Sequence, residues 1–408
     1  MMRKQFFLWL VLLCTLTITS CKDDDTIDIN DYNKQTILVY MPWSGSAQHK
    51  GLYNFFLQNL DSIESGVKAQ KGLKNSRLVV FLSKSPTESE LYEVGYVNKQ
   101  ITHTPIKTYS GKAYTTAEGI AQIINDTKAA AEALNYALII GCHGTGWTYK
   151  ENWKDYPYNA KRYVFSTRQQ PTYWEQTRFF GSVDDILNYA TDIETLAKGI
   201  AQTGTKMQYI LFDDCYMANV ETAYMLKDVT NFLVGSTSEV MAIGMPYADM
   251  WSSLASPTPN YGAIVKKFHD FYSNYRVPSG TIAAIDCREV EALAAVMKDI
   301  NAKYSLDDSL RDSVQVLDGF KAGIFFDMGD YVKWLCKNKN LRERFNQQLT
   351  KTVRHQSHTD TIYSYIYPYE GPKYIPVKTF SGLTISDPTI HVAPLRGIQN
   401  TAWWRATH

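Results

Sequence analysis

Four short apolar runs constrain this chain most. They are residues 36–40 (TILVY), 77–83 (RLVVFLS), 136–142 (YALIIGC) and 207–212 (MQYILF). None alternates polar with apolar residues, so neither face is suited to water. Short β-branched runs of this kind are strands buried on both sides. A fifth run, 232–235 (FLVG), follows. Segments with helical spacing lie between them, at 52–63, 115–134 and near 218–226. Buried strands alternating with helices predict an α/β fold, a mostly parallel central sheet with helices on both faces. Beyond about residue 250 the pattern continues differently, with helices at 264–272 and 289–304, a strand at 281–286 (TIAAID) and a late strand at 380–386 (FSGLTIS). Residues 148–181 are rich in Tyr, Trp, Lys and Arg and show no period. A segment this long without structure inside a compact domain is usually functional or flexible.

The 408 residues carry a formal net charge of +1, with 45% hydrophobic and 20% charged residues. That balance suits a globular core and excludes nucleic acid as the main partner, because phosphate binding needs a basic face. The N-terminus reads as a targeting segment: Arg3 and Lys4 precede an apolar run at 6–16, too short to span a bilayer. It ends in Ile18-Thr19-Ser20-Cys21, which resembles the lipobox of bacterial lipoproteins, where the Cys becomes lipid-modified. A plain signal peptide with a coincidental Cys is the alternative. Lys22-Asp23-Asp24-Asp25 follows, either a surface-export signal or a solvated tether. The expected location is therefore outside the cytoplasm, as an outer-membrane or cell-surface lipoprotein attached to the membrane through its lipid.

Setting aside Cys14 and Cys21 leaves Cys142, Cys215, Cys287 and Cys336. They form no Cys-x-x-Cys pair and no regular framework, so all four read as free thiols.

Two strand ends carry chemistry. The third strand runs into Gly141-Cys142-His143-Gly144-Thr145-Gly146-Trp147, the fourth into Asp213-Asp214-Cys215-Tyr216-Met217. Open parallel sheets bind ligands at the carboxyl ends of their strands. If these two strands are neighbours, His143 and Cys215 meet at one edge. A thiolate is a nucleophile, and a nearby imidazole activates it and protonates the leaving amine. Backbone amides of Gly144 and Cys215 suit an oxyanion. Residue types alone leave an inert buried thiol as the other reading of Cys215. His355 and His358 have the spacing of one helical face, but no His-Glu-x-x-His pattern accompanies them, and they read as a solvated pair.

The segment YALIIGCHGTGW resembles the His motif of the clostripain family of cysteine peptidases, and YILFDDCYMANVETAY resembles its Cys motif. Asp213, Cys215, Met217 and Glu221 occupy the second motif's positions; Ser236, Glu239, Pro246, Tyr247, Asp327, Ser381-Gly382-Leu383 and Ala402-Trp403 echo the family further on. The resemblance covers most of residues 36–404. It implies a caspase-like α/β three-layer sandwich and a Cys-His dyad in which Cys215 attacks the scissile carbonyl and His143 is acid and base. It places Asp213 at the floor of the pocket for the residue before the cut (S1, for P1), where a carboxylate favours Arg or Lys. A strand-end carboxylate satisfied by local backbone is the alternative for Asp213; Asp214 reads as structural. The family's activation cut falls between the two motifs. Here 148–181, with Lys150, Lys154, Lys161, Arg162, Arg168 and Arg178, is either such a cut site or an uncut cleft wall.

Two positions depart from the family pattern, Cys142 before the His and Asp387-Pro388 after the late strand. Some members depend on calcium; Asp184 and Asp185 are carboxylates of the right type, but no oxygen-rich loop of recognisable spacing appears, and no metal or other cofactor is assigned. The expected organisation is a signal peptide over 1–21, a tether over 22–35, a catalytic domain over 36–250 and a subdomain continuing the fold over 251–408. The expected function is a monomeric cysteine endopeptidase for protein or peptide substrates with basic residues. The competing classes are a non-catalytic surface binding lipoprotein with a peptidase-like fold and an acyl-transfer enzyme using the same thiol.

Overall fold

A computed structural model describes residues 33–154, 177–178, 186–367 and 370–408. Cys21 and its flanking signal and tether, most of 148–181, and Asp184 and Asp185 lie outside the described residues. The strands in chain order are β1 (Gln35–Met41), β2 (Ser76–Ser85), β3 (Glu88–Val97), β4 (Gln100–Ser110), β5 (Asn135–Gly141), β6 (Met207–Asp213), β7 (Thr230–Gly235), β8 (Thr281–Asp286), β9 (Phe326–Asp327), β10 (Val353–His358), β11 (Thr361–Ser364), β12 (Lys373–Pro376) and β13 (Thr384–Ile385). Nine of them form one sheet in the order β10-β8-β7-β6-β5-β1-β2-β3-β4. The central five, β2-β1-β5-β6-β7, run parallel. Antiparallel pairings add β3 and β4 at one side and β8 and β10 at the other.

The helices named here are α1 (Tyr53–Ala69), α2 (Ala117–Ala130), α3 (Ile193–Gln202), α4 (Val220–Leu226), α5 (Tyr247–Leu254), α6 (Tyr261–Ser273), α7 (Val290–Asn301), α8 (Met328–Leu335) and α9 (Lys339–Thr352). Period-two alternation divides each central strand between two cores. Ile37, Val39, Met41, Ala137, Ile139, Tyr209 and Leu211 pack with α1, α5 and α6. Leu38, Tyr40, Leu138, Ile140, Ile210 and Phe212 pack with α2, α3, α4, α7, α8 and α9. The result is the expected three-layer caspase-like α/β sandwich. Each fully buried Ile, Leu or Val contributes about 1.5–3 kcal/mol of transfer free energy. Local caps start the helices: the Thr116 hydroxyl accepts from Gly119 N at 3.1 Å, and Asn219 Oδ1 accepts from Thr222 N at 2.7 Å, just behind Cys215.

Three local expectations differ from what is found. The β3–β4 hairpin falls where no element was expected. The late strand is shortened to the two residues of β13. Residues 353–358, where no element was expected, form β10, so His355 and His358 stand three apart on a strand and point to opposite faces. Among the described residues, Cys142, Cys215, Cys287 and Cys336 are free thiols, and no helix is long and apolar enough to cross a membrane.

Candidate active site

β5 and β6, the third and fourth strands expected from the sequence, are parallel neighbours with Gly141 opposite Asp213. That register puts His143 two residues past one strand end and Cys215 two residues past the other, at the same carboxyl edge. The two loops touch through their backbones. A Cβ built on Gly144 would lie 2.4 Å from the Cys215 carbonyl oxygen and 3.0 Å from its amide nitrogen, so only glycine fits beside the Cys.

Cys215 is fully buried, and its Sγ accepts from Val240 N at 3.2 Å and lies 3.8 Å from Val240 O. The next residue, Tyr216, adopts φ +64, a strained conformation for a bulky side chain. Its surroundings hold it there. The Tyr216 hydroxyl donates to Glu239 Oε1 at 2.9 Å, its amide donates to Ser238 O at 3.0 Å, and its ring stacks on Phe325 at 4.7 Å. The sharp turn fixes the direction in which the thiol leaves the strand.

Arg178 fills the space in front of this pair, with no exposed surface. Its Nη1 lies 3.0 Å from Asp213 Oδ2 and donates to Asp213 O at 2.8 Å. Nη2 donates to Asn59 Oδ1 at 2.5 Å, and Nε donates to Ala242 O at 3.2 Å. The Tyr247 hydroxyl also donates to Asp213 Oδ2, at 2.9 Å. The main chain is engaged as well. Arg178 N donates to Val240 O at 2.8 Å, and Arg178 O accepts from Gly144 N at 3.2 Å. Thr177 pairs antiparallel with Met241, and its hydroxyl donates to Glu239 Oε2 at 2.5 Å. Thr177-Arg178 thus lies as a short added strand along 240–242, with the guanidinium on Asp213 and the carbonyl on the Gly144 amide. One surface depression, about 630 Å³ beside Gly262, His269 and His355, lies away from this site, and another is lined by His143, Gly144 and Asp214.

Burial keeps the pair neutral in this arrangement. It pushes the His143 imidazole down to about 3, aided by the Arg178 guanidinium and opposed by a hydrogen bond to the Arg178 main chain. It pushes the Cys215 thiol well up, aided by Glu239 and opposed by the Val240 backbone. The Asp213 carboxyl is also raised by burial, while Arg178 and Tyr247 draw it back. Asp214 Oδ1 accepts from Cys142 N at 2.5 Å and so ties the two strand ends together. Half-buried Cys142 packs against the core. Met217 is a core residue, and Glu221 Oε1 accepts from Ser386 N at 2.8 Å. Asp327 caps α8 by accepting from Asp330 N at 2.9 Å. Among the described residues, no group of three or more His, Cys, Asp or Glu is placed to hold a metal ion.

Sequence reasoning missed Asn59, Thr177 and Gly244. Asn59 had a signal, a lone polar residue on the buried face of α1 beside Phe56, Leu60 and Ile63. Gly244 has φ +76, and a Cβ there would lie 2.2 Å from Arg178 Nη2 and 2.5 Å from Asp213 Oδ2.

The clostripain family model matches residues 39–365. A comparison with curated proteins returned no match. Among solved structures, a secreted C11 cysteine protease from Bacteroides thetaiotaomicron, "iotapain", is 42% identical, with 92% of this chain and 99% of that one covered and a TM-score of 0.80. A clostripain from Bacteroides thetaiotaomicron ATCC 29148, in complex with the peptide inhibitor BTN-VLTK-AOMK, is 50% identical over 54% of this chain and 96% of its own, with a TM-score of 0.52. An inactive zymogen C11 protease from Parabacteroides distasonis, 23% identical with 92% and 99% covered and a TM-score of 0.73, shares the fold. A family match across both strand-end motifs, together with full-length likeness in sequence and fold, places this chain in the clostripain family of cysteine-type endopeptidases.

Proposed function

We propose that the chain hydrolyses peptide bonds on the carboxyl side of Arg or Lys, with Cys215 as nucleophile and His143 as general acid and base. The observation that carries this reading is the seat of Arg178. A basic side chain rests on Asp213 while the carbonyl of the same residue accepts from Gly144 N, beside His143 and Cys215. A substrate bound this way presents its scissile carbonyl where an oxyanion would be stabilised. His143 takes the thiol proton as Sγ bonds to the carbonyl carbon, and the oxygen gains negative charge against the amides of Gly144 and Cys215. Collapse breaks the C–N bond, and the amine leaves with the proton from His143. Water then attacks the thioester, loses its proton to His143, and releases the acid and the free thiol.

Asp213 and Asn59 supply the specificity, a charged and a neutral acceptor on one guanidinium. A Lys ammonium would meet the same acceptors with fewer hydrogen bonds. The inhibitor peptide of the 50% identical relative, VLTK, places Thr and then Lys last, the order of residue types in Thr177-Arg178 here. Since Arg178 occupies the pocket, a substrate enters after Arg178 leaves, and cleavage of the bond that follows it is the direct route. Residues 36–250 carry the dyad and its pocket, and 251–408 continue the fold. The signal-like N-terminus and the secreted relative support export, and Cys21 is the residue proposed to carry the lipid.

The test uses a soluble form starting at Lys22 and its Cys215→Ala variant, assayed with fluorogenic peptides carrying Arg, Lys, Asp or Leu at P1. Cleavage after Arg or Lys that vanishes in the variant is expected. Turnover only after Asp or Leu would remove Asp213 from its role, and turnover retained by Cys215→Ala would remove the nucleophile.

A further inference from the structure

We propose that Glu239 is a specificity-determining residue that selects a hydroxyl-bearing side chain, threonine before serine, at the position preceding the basic residue (P2). The inference rests on the reading of Thr177-Arg178 as a segment seated like a substrate, and extends it by one residue. Glu239 is buried, and three donors reach its carboxyl group, with the Ser364 hydroxyl close beside them. The Tyr216 hydroxyl reaches Oε1, while the Tyr365 amide at 3.0 Å and the Thr177 hydroxyl at 2.5 Å share Oε2. Two of these belong to the body of the protein. The third belongs to the segment that must vacate the site.

When Thr177 leaves, Oε2 loses a partner in a place closed to bulk water on its other sides. Oε2 keeps the Tyr365 amide, but a pocket built to hold a hydroxyl still discriminates against the isosteric side chain that lacks one, because one hydrogen bond to the buried carboxyl group then goes unmade. The main-chain pairing of Thr177 with Met241 is open to any residue and carries no such discrimination. Selectivity for the P2 side chain therefore lies in the Glu239 carboxyl group. Threonine fits as Thr177 does. Serine donates but fills less of the space. Valine has threonine's shape and no donor. Aspartate or glutamate would set a second acceptor against the first.

Glu239 also restrains Tyr216, next to the nucleophile, so its replacement will lower turnover generally. The informative quantity is therefore a ratio of two substrates on one enzyme. Two peptides with Arg at P1, identical except for Thr or Val at P2, compete in one reaction, and relative kcat/KM is read by mass spectrometry. Wild-type enzyme is expected to prefer Thr by about ten- to a hundredfold. In Glu239→Ala the ratio should fall close to one, and in Glu239→Gln, which keeps an acceptor without charge, to an intermediate value. The preference for Arg over Leu at P1 should persist in both. Equal cleavage of the two peptides by wild type, or an undiminished ratio in Glu239→Ala, overturns the inference and leaves the basic-P1 reading standing. Failure to cut either peptide sinks that reading and this one together. Should neither variant fold, the wild-type ratio decides alone.

Discussion

The Gly144 amide donates to the Arg178 carbonyl oxygen at 3.2 Å, one residue beyond His143. On the function proposed above, this contact sets the Arg178 carbonyl where a substrate's scissile carbonyl would lie. We expect the soluble chain to cut itself on the carboxyl side of Arg178, giving two fragments and a new N-terminus at residue 179. Cys215→Ala should stay intact. Arg178→Gln should slow the conversion by roughly a hundredfold, because the charge pairing with Asp213 is lost. Gel time courses with N-terminal sequencing read the result. A cut at another basic residue of 148–181, with residue 178 intact, would make Arg178 a plug rather than a substrate.

Asp213→Asn tests the charge directly. The carboxylate and Arg178 are both fully buried, so each compensates the other's desolvation. Replacing Asp213 with a neutral amide leaves a guanidinium without its counter-charge. The expected loss is about a hundredfold or more in kcat/KM for Arg substrates, with little change for Leu. Parallel kinetics on P1-Arg and P1-Leu peptides measure it. An equal fall for both would mean that Asp213 supports the fold of the site rather than its selectivity.

Gly244→Ala narrows the same pocket from the other wall. A Cβ there would lie 2.2 Å from Arg178 Nη2, and φ +76 is costly for alanine. We expect KM for Arg peptides to rise at least tenfold, with stability lowered by about 1 kcal/mol. Active-site titration beside urea denaturation separates the two effects. Unchanged KM would show that the 240–245 loop yields to let the guanidinium in.

The central strands were readable because burial on both faces leaves a continuous apolar run. The β3–β4 hairpin was not. Its strands are largely half-buried or exposed, and its turn, Asn98-Lys99 with φ 51 and 65, lacks the glycine that marks such turns. β10 carried no strand signal, because its edge position exposes Arg354, His355 and Gln356 and leaves no apolar run. At the site, His143 and Cys215 were legible as strand-end residues on neighbouring motifs. The pocket was only partly legible. Asp213 stands two residues before the Cys, but Asn59 and Arg178 come from distant segments, and Arg178 was one of six basic residues with nothing local to single it out. The sheet topology supplies what local sequence does not, by folding α1 and the 177–178 segment against the 240–245 loop.

Glu221 gives a prediction about stability with a definite sign. It is buried behind the catalytic edge, with Oε1 accepting from Ser386 N at 2.8 Å, and burial raises its carboxyl from 4.5 to about 8. The folded state then holds a proton that the unfolded chain releases above pH 4.5. Its contribution to stability is full below that pH and is lost as pH rises through about 8. Asp318 and Asp387, raised by burial to about 7, act in the same direction. His143, depressed to about 3, acts oppositely, but only between about pH 3 and 6.5. Between pH 6.5 and 8.5 the carboxyl groups therefore act without it. In a Cys215→Ala background, which prevents self-cleavage, urea midpoints should fall across this range. Glu221→Gln keeps a neutral side chain of the same shape and should remove a few kcal/mol of that dependence. Equal slopes in the two proteins would mean that Glu221 is ionised in the folded state and held by the Ser386 amide.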